Sequence, residues 1–247
     1  MNGSRYAIYY APPAGSPLAR LGAAWLGRDA DRAGPVTQPS VPGLRPARLA
    51  RLTAAPRRYG FHATLKAPFY LAPCVTLDDL TWAVRGLAET LAPVTLDGLR
   101  VTRLSRFLAL TPCKESQALQ DLAAACVSRL DPFRAALSDQ DLMRRQRTNL
   151  SQTQMHNLLR WGYPHVMESF RFHMTLTGEV GRAEGDLLAD FLARYLGAEL
   201  EKPLTLGALS LFEQPERHKA FRRLAEFPLE PAVSAIGPSK EGASNAA

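Results

Sequence analysis

The spacing of apolar residues divides the chain into short strands and amphipathic helices. Over residues 77–91 leucine and valine recur at steps of three and four, which predicts a helix, and Thr76 with Asp79 forms a candidate capping box at its start. Ser16 is a candidate N-cap for an earlier helix. The predicted order is strand 5–11, helix 16–26, a proline-rich loop over 28–58 with a short helical turn near Leu49, strand 59–71, the helix after Thr76, strands 99–104 and 107–111, helix 115–130, a basic and partly helical linker over 131–150, an interrupted helix over 152–170, strand 170–180, helix 184–196, and strands 204–213 and 220–229.

Part of this order occurs twice. Residues 59–111 and residues 170–229 each predict a strand, a helix and two further strands. The first strand of each copy carries the same core, HATL beginning at His62 and HMTL beginning at His173, and the two histidines lie 111 residues apart. This repetition indicates an internal duplication.

Each of the two motif strands has a polar face. Because side chains alternate along a strand, His62, Thr64 and Lys66 are expected on one face, opposite Phe61, Ala63 and Leu65. In the second copy the polar face carries His173, Thr175 and Thr177. If the two strands meet near a two-fold axis, their polar faces form a cleft that holds two imidazoles and several hydroxyls.

Such a cleft is suited to cleaving a phosphodiester. One group must take a proton from the attacking water or hydroxyl and another must give a proton to the leaving oxygen, and the ordinary histidine pKa of about 6.5 suits both tasks. Thr64 and Thr175 can donate hydrogen bonds to the non-bridging oxygens, and Lys66 can oppose their developing negative charge. The sequence does not decide which histidine is the acid and which is the base.

Further candidates surround the two motifs. Arg58 and Arg171 lie on the histidine faces if the strands extend that far; each could hold a phosphate bidentately or be an arginine at the rim paired with a carboxylate. Tyr163, like Tyr59, could stack on a base or sugar, although packing is the commoner role of such a ring. The basic run 144–147 could bind an RNA backbone, although a solvated helix face is the more usual explanation.

Two other catalytic constellations fit poorly. Near the histidines only Glu168 and Glu179 flank the second motif, which is not a metal-ligand spacing, and no G-x-S-x-G elbow occurs. We therefore expect neither a metal nor another cofactor.

Composition adds a preference about ligands and location. The net charge of +7 favours anionic ligands, although the excess of arginine over lysine could also reflect a GC-rich genome. Three cysteines without paired spacing indicate a reducing compartment, and neither a signal peptide nor an apolar run of membrane-spanning length occurs, so we expect a cytoplasmic protein with no membrane partner.

The paired His-x-Thr motifs resemble the 2H phosphoesterase superfamily, which includes RNA 2′-5′ ligase-like proteins and cyclic nucleotide phosphodiesterases. The longer segments 57–69 (RRYGFHATLKAPF) and 170–178 (FRFHMTLTG) are similar to the branch found with phosphonate-utilisation (carbon–phosphorus lyase) genes. Segment 161–168 (WGYPHVME) also fits, except that His165 stands where tyrosine is expected. The resemblance spans about residues 5–230.

The resemblance implies a duplicated bilobal α+β fold, with two antiparallel-sheet lobes and outer helices around a central cleft. We expect one domain over 1–230, with lobes formed mainly by 59–130 and 152–229, followed by a disordered tail over 231–247. It also implies His62 and His173 as the acid–base pair and Thr64 and Thr175 as phosphate ligands. The gene context implies a small cyclic ribose phosphate, such as phosphoribosyl 1,2-cyclic phosphate, as the substrate.

Two competing functions stay open. One is an RNA enzyme, either a 2′,3′-cyclic phosphodiesterase or a 2′-5′ RNA ligase, which extended basic tracts with interleaved aromatics would favour. The other is a non-catalytic protein that binds a phosphate ligand, although binding alone does not need two titratable imidazoles. The oligomeric state is not indicated by the sequence.

Overall fold

A computed structural model of the protein describes residues 3–146 and 149–230, so the predicted tail and Arg147 lie outside the described residues. The strands are β1 (Arg5–Tyr10), β2 (Arg28–Asp29), β3 (Gly34–Pro35), β4 (Ala63–Phe69), β5 (Val94–Leu96), β6 (Leu99–Leu104), β7 (Phe107–Pro112), β8 (Met174–Thr175), β9 (Leu204–Leu206), β10 (Ala208–Gln214) and β11 (Arg222–Pro228). The α-helices are α1 (Pro17–Leu26), α2 (Pro46–Leu52), α3 (Ala54–Arg57), α4 (Leu77–Ala88), α5 (Gln117–Arg129), α6 (Asp139–Gln146), α7 (Gln152–Trp161), α8 (Arg182–Leu196) and α9 (Ala198–Glu201). Short 3₁₀ turns occupy Asp131–Phe133 and Met167–Ser169.

Seven strands form one antiparallel sheet in the order β11-β10-β1-β4-β8-β7-β6. The two motif strands β4 and β8 are neighbours at its centre and pair through Ala63 and Met174. The predicted α+β class, with antiparallel strands and helices packed outside them, is confirmed. Two small sheets, β2-β3 and β5-β9, were not predicted as such.

The sheet mixes strands from the two copies. Strands β6 and β7 follow β4 in the chain but lie on the side of β8. Strands β10 and β11 follow β8 in the chain but lie on the side of β4, separated from it by β1. The two copies in the sequence therefore do not correspond to the two halves of the sheet. In this arrangement the two motif strands, β4 and β8, lie next to each other, and each separates the other from the strands that follow it in the chain.

The helices form where local signals specify them. The Ser16 hydroxyl accepts a hydrogen bond from the Ala19 amide at the start of α1, and Thr76 and Asp79 make the predicted capping box of α4. One face of the sheet carries the main core, in which Ala63, Met174 and their alternating apolar neighbours are fully or nearly fully buried. The opposite face carries the histidines.

The predicted location depended on two features, unpaired cysteines and the lack of a membrane-spanning segment. Within the described residues all three cysteines are free, and Cys126 is buried. The described part of the chain contains no helix both long and apolar enough to cross a membrane.

Candidate active site

The pairing of β4 with β8 brings both His-x-Thr motifs together. Because Ala63 is opposite Met174 and both side chains enter the core, the residues before and after them point to the other face. His62 is then opposite Thr175, and Thr64 is opposite His173. Cross-strand neighbours have Cβ atoms about 5 Å apart and diagonal ones about 7 Å, so the two histidines are near neighbours on one face of the sheet.

Each histidine lies one residue before its strand and is oriented in the same way. Nδ1 of His62 lies 2.9 Å from the Gly60 carbonyl oxygen, and Nδ1 of His173 lies 2.8 Å from the Arg171 carbonyl oxygen. A carbonyl only accepts, so Nδ1 carries the proton in both rings and Nε2 is the atom that can exchange a proton with a ligand. Nε2 of His62 lies 3.2 Å from the Thr64 hydroxyl, which can donate to it when the ring is neutral.

The surroundings of the two rings differ. Burial lowers the pKa of His62 to about 4, against the smaller raising effect of the Gly60 carbonyl, and the nearby His173 lowers the pKa further. The His62 ring stacks on Tyr9 with centroids 3.8 Å apart. Burial also lowers the pKa of His173, whose nearest ring contact is Phe107 at 6.0 Å between centroids. Both imidazoles are therefore biased toward the neutral form in the free protein.

One cavity of about 480 Å³ contains both motifs. Its walls include His62, Thr64, His173 and Thr175, and also five arginines: Arg5, Arg58, Arg144, Arg145 and Arg217. No Asp or Glu occurs among the described residues that line it. On one side it adjoins a depression formed by Ala55, Pro56, Tyr59, Phe107 and Thr177 together with the motif residues His62 and Thr175. The cavity that holds both histidines therefore has several basic side chains in its walls, and the depression beside it is largely apolar.

Lys66 is not part of this cavity, and the expectation that it shares the face of His62 is wrong. The register of β1 against β4 pairs Tyr9 with Thr64 but Ile8 with Lys66, so one extra residue, Leu65, interrupts the alternation. Lys66 turns to the core side, where its ammonium group donates to the Val127 carbonyl at 2.9 Å and lies 3.6 Å from the Asp131 carboxylate. Burial lowers the pKa of Lys66 to about 8.

The other predicted ligands occupy different positions around the cavity. Thr177 is buried beside the cavity. Its hydroxyl oxygen accepts a hydrogen bond from the Leu108 amide at 2.9 Å, so this oxygen is already bonded to the backbone. Arg58 lines the cavity from the end of α3, not from an extended strand, and its Nε donates to the Lys219 carbonyl at 3.3 Å. Arg171 is exposed in the segment before β8 and borders an adjoining depression.

Tyr163 lines both the histidine cavity and that adjoining depression, and its stacking on a base or sugar stays a prediction. The Arg145 guanidinium lies 5.3 Å from the centre of its ring, and the His165 ring meets it edge-on. Burial raises the pKa of the Tyr163 hydroxyl, so it is a hydrogen-bond donor at neutral pH.

Three residues that line the cavity were not predicted from the sequence: Tyr9, Arg5 and Arg217. Strand β1 pairs with β4 opposite Thr64, so the alternation of β1 puts Arg5 and Tyr9 on the histidine side. That alternation was visible in the sequence, but the position of β1 beside β4 was not. Arg217 belongs to the loop between β10 and β11, and no sequence signal connects it to the site.

No group of three or more His, Cys, Asp or Glu side chains that could hold a metal occurs within residues 3–146 and 149–230. The independence of the chemistry from metals and cofactors stays a prediction.

Comparisons with known proteins give a family and two kinds of relatives. A family model described as "Protein of unknown function (DUF1045)" matches residues 64–222. The chain is 39% identical over 214 residues to a Janthinobacterium sp. (strain Marseille) protein named ribose 1,5-bisphosphate phosphokinase PhnN, covering 84% of this chain and 47% of that protein. It is 39% identical over 226 residues to a protein of the same name from Laribacter hongkongensis (strain HLHK9), covering 88% and 50%. The chain spans about half the length of these curated relatives.

Two solved structures resemble the chain distantly. One is described as E. coli LigT complexed with NADP+, with 13% identity, a TM-score of 0.46 and coverage of 94% of this chain and 100% of that one. The other is described as a phosphoesterase, with 12% identity, a TM-score of 0.40 and coverage of 93% and 99%. Since the family model matches well over half of the 247 residues, the chain belongs to the family of proteins of unknown function called DUF1045.

Proposed function

We propose that the chain is a phosphodiesterase that needs no metal and hydrolyses a small cyclic ribose phosphate with His62 and His173 as the acid–base pair. One observation supports this most directly: two imidazoles, each fixed through Nδ1, share a cavity with two threonine hydroxyls. A purely structural role would not require both Nε2 atoms to remain available to the same space.

The proposed reaction forms one P–O bond and breaks another. Water attacks phosphorus while one neutral imidazole takes its proton, the bond from phosphorus to one ester oxygen breaks, and the other imidazole, in its protonated form, gives that oxygen a proton. The product is a phosphate monoester beside a free hydroxyl. The hydroxyls of Thr64 and Thr175 donate to the non-bridging oxygens, where negative charge develops.

We assign the base to His62 and the acid to His173. His62 is more enclosed, with Tyr9 stacked on its ring and the Thr64 hydroxyl able to donate to Nε2, and both features favour the neutral form that a base needs. Burial also lowers the pKa of His173, but the Phe107 ring lies 6.0 Å from this imidazole and does not stack on it, so we assign the protonated role to the less enclosed ring. The negative charge of a bound phosphate raises the pKa of both rings.

The names of the relatives support a ribose phosphate as the class of substrate. The two curated proteins are named for action on ribose 1,5-bisphosphate, and this chain matches about half of each. We infer that the chain acts on a related phosphorylated ribose. The kinase activity in those names is not carried over, because the cavity around two acid–base histidines is suited to ester hydrolysis.

The test is turnover by wild-type protein and by His62→Ala and His173→Ala variants, on a panel of cyclic ribose phosphates, cyclic nucleotides and RNA ends. We expect hydrolysis of a cyclic ribose phosphate that falls by at least about a hundredfold in either variant, with unchanged melting temperature. Turnover retained in both variants would refute the proposed mechanism. Preference for RNA ends would favour the RNA alternative, and tight binding without turnover would favour the non-catalytic one.

A further inference from the structure

Two depressions of different chemistry adjoin the histidine cavity. The apolar depression described above shares His62 with the cavity but does not contain His173. The other, which we call the polar depression, shares His173 with the cavity but does not contain His62. Its polar side chains beyond those it shares with the cavity are Gln154, His165, Glu168, Ser169 and Arg171. The two depressions therefore offer different surroundings to whatever is attached to the reacting phosphate.

The start of α7 orients the Gln154 side chain in the polar depression. The side-chain oxygen of Gln154 accepts from the Ser151 amide at 3.0 Å, and the Ser151 hydroxyl accepts from the Gln154 amide at 3.2 Å, which together form a capping box. The remaining side-chain nitrogen lies 3.5 Å from Nδ1 of His165. An amide nitrogen only donates, so Nε2 carries the proton of the neutral His165 ring and is a hydrogen-bond donor. Partial burial lowers the pKa of His165 and the nearby His173 lowers it further, which favours this neutral form.

Glu168 provides an acceptor in the same depression. One of its carboxylate oxygens accepts from the Asn157 amide group at 3.4 Å, and Asn157 is itself buried and donates to the Val166 carbonyl at 3.0 Å. Because Glu168 is exposed, its other oxygen is available to a ligand. The depression also contains one guanidinium group, that of Arg171, so its one negative and one positive charge balance.

This combination fits a neutral ligand that carries hydroxyl groups. A hydroxyl can accept from the His165 imidazole and donate to the Glu168 carboxylate, whereas an anion would be repelled by that carboxylate. In the proposed reaction His173 gives a proton to the leaving oxygen, so the carbon skeleton attached to that oxygen lies on the side of the polar depression. In the apolar depression the same hydroxyls would lose water without gaining hydrogen-bond partners, which is unfavourable.

We propose that the polar depression binds the sugar ring of the substrate, and that His165 and Glu168 recognise a free ring hydroxyl as its donor and its acceptor. This rests on the proposed function, because it locates the carbon skeleton of the substrate whose phosphate the two motif histidines attack. The proposal makes His165 and Glu168 specificity-determining residues and gives neither of them a part in the proton transfers.

The experiment compares ribose 1,2-cyclic phosphate with its 3-deoxy analogue, which lacks the free hydroxyl on the carbon next to the ester. Turnover of both compounds is measured with the wild-type protein. Their Kd values are measured by calorimetry in a His62→Ala background, which lacks the proposed base and leaves the polar depression intact. We expect the hydroxyl to improve both kcat/KM and Kd by about tenfold to a hundredfold, because its absence leaves polar groups of the protein without a partner.

Matched variants in the same background locate the effect. His165→Phe should reduce the Kd ratio between the two compounds about tenfold, whereas His165→Tyr, which restores a donor, should keep most of it. Glu168→Gln keeps an oxygen for Asn157 but removes the charge, and should reduce the ratio several-fold. The control is Glu179→Gln, which removes an equal charge from the apolar depression and should leave the ratio unchanged. All three positions are exposed, and melting temperatures check that the variants are folded.

Equal Kd values for the two compounds, or an unchanged ratio in both His165→Phe and Glu168→Gln, would overturn the proposal even if the wild-type protein hydrolyses the cyclic ester. A ratio that falls as much in Glu179→Gln as in Glu168→Gln would indicate that the sugar lies in the apolar depression, and would overturn it too. The expected ratios without any turnover would instead support the polar depression as the sugar site and refute the proposed hydrolysis.

Discussion

The buried neutral state of His62 predicts a pH dependence of folding stability that one substitution should remove. In the unfolded chain this histidine has its ordinary pKa of 6.5, and in the folded protein burial lowers the pKa to about 4. As pH falls from 8 to 5, the imidazole becomes protonated in the unfolded chain but stays largely neutral in the folded protein. The free energy of unfolding therefore decreases as pH falls below 6.5 and stops decreasing near pH 4.

The size of the effect follows from the two pKa values. Between pH 8 and pH 5 the linkage relation gives a loss of about 2 kcal/mol from His62 alone. His62→Phe removes the titration but keeps an aromatic ring to stack on Tyr9, and any constant cost of the substitution cancels when the same variant is compared at two pH values.

The assay is urea unfolding of wild type and His62→Phe at pH 8, 6.5 and 5. The wild-type protein should lose about 2 kcal/mol more than the variant over this range, since all other titrating groups are common to both. Losses that agree within about 0.5 kcal/mol would refute the claim that His62 is held neutral by burial.

Three further predictions concern activity and the core. For a substrate whose only charge is the cyclic diester, kcat/KM should increase as the pH rises past about 4, where His62 loses its proton. It should decrease again at higher pH, where His173, whose pKa burial also lowers, loses the proton it must donate; a profile flat from about pH 4 to 8 would contradict the pair. Thr64→Val and Thr175→Val should each lower kcat/KM about tenfold to a hundredfold with little change in melting temperature. A loss of kcat/KM accompanied by a large fall in melting temperature would indicate a structural role instead. Lys66→Met should lower the free energy of unfolding by about 2 kcal/mol, because Asp131 and a buried carbonyl lose a donor, but should not change kcat/KM per folded molecule.

The helices were predictable because their signals are local. The capping hydroxyls of Ser16 and Thr76 and the spacing of leucines depend on neighbours within about four residues, and both helices begin where those signals stand. The apolar faces of the two motif strands were predictable for the same reason, since Ala63 and Met174 obey simple alternation.

The remaining features depend on strands distant in the chain. Strand β8 was expected over 170–180 but covers only Met174–Thr175, because beyond Thr175 the backbone bonds irregularly, with both Leu176 and Thr177 donating to the Leu108 carbonyl. The bulge that turns Lys66 into the core arises from pairing with β1, which sequence alternation cannot reveal. The exchange of strands between the two sheet halves is likewise a property of the assembled sheet.

The duplicated construction explains both the likeness and the difference of the two histidines. In each copy the residue two before the histidine lies outside the regular strand, so its carbonyl is free to accept from Nδ1 instead of joining the ladder. This contact needs nothing but the local chain, and the duplication therefore reproduces it in both copies. What surrounds each ring comes from other strands: β1 supplies Tyr9 to His62, and β7 supplies Phe107 to His173. Equal orientation with unequal burial is how one motif, used twice, can provide two imidazoles with different proton affinities.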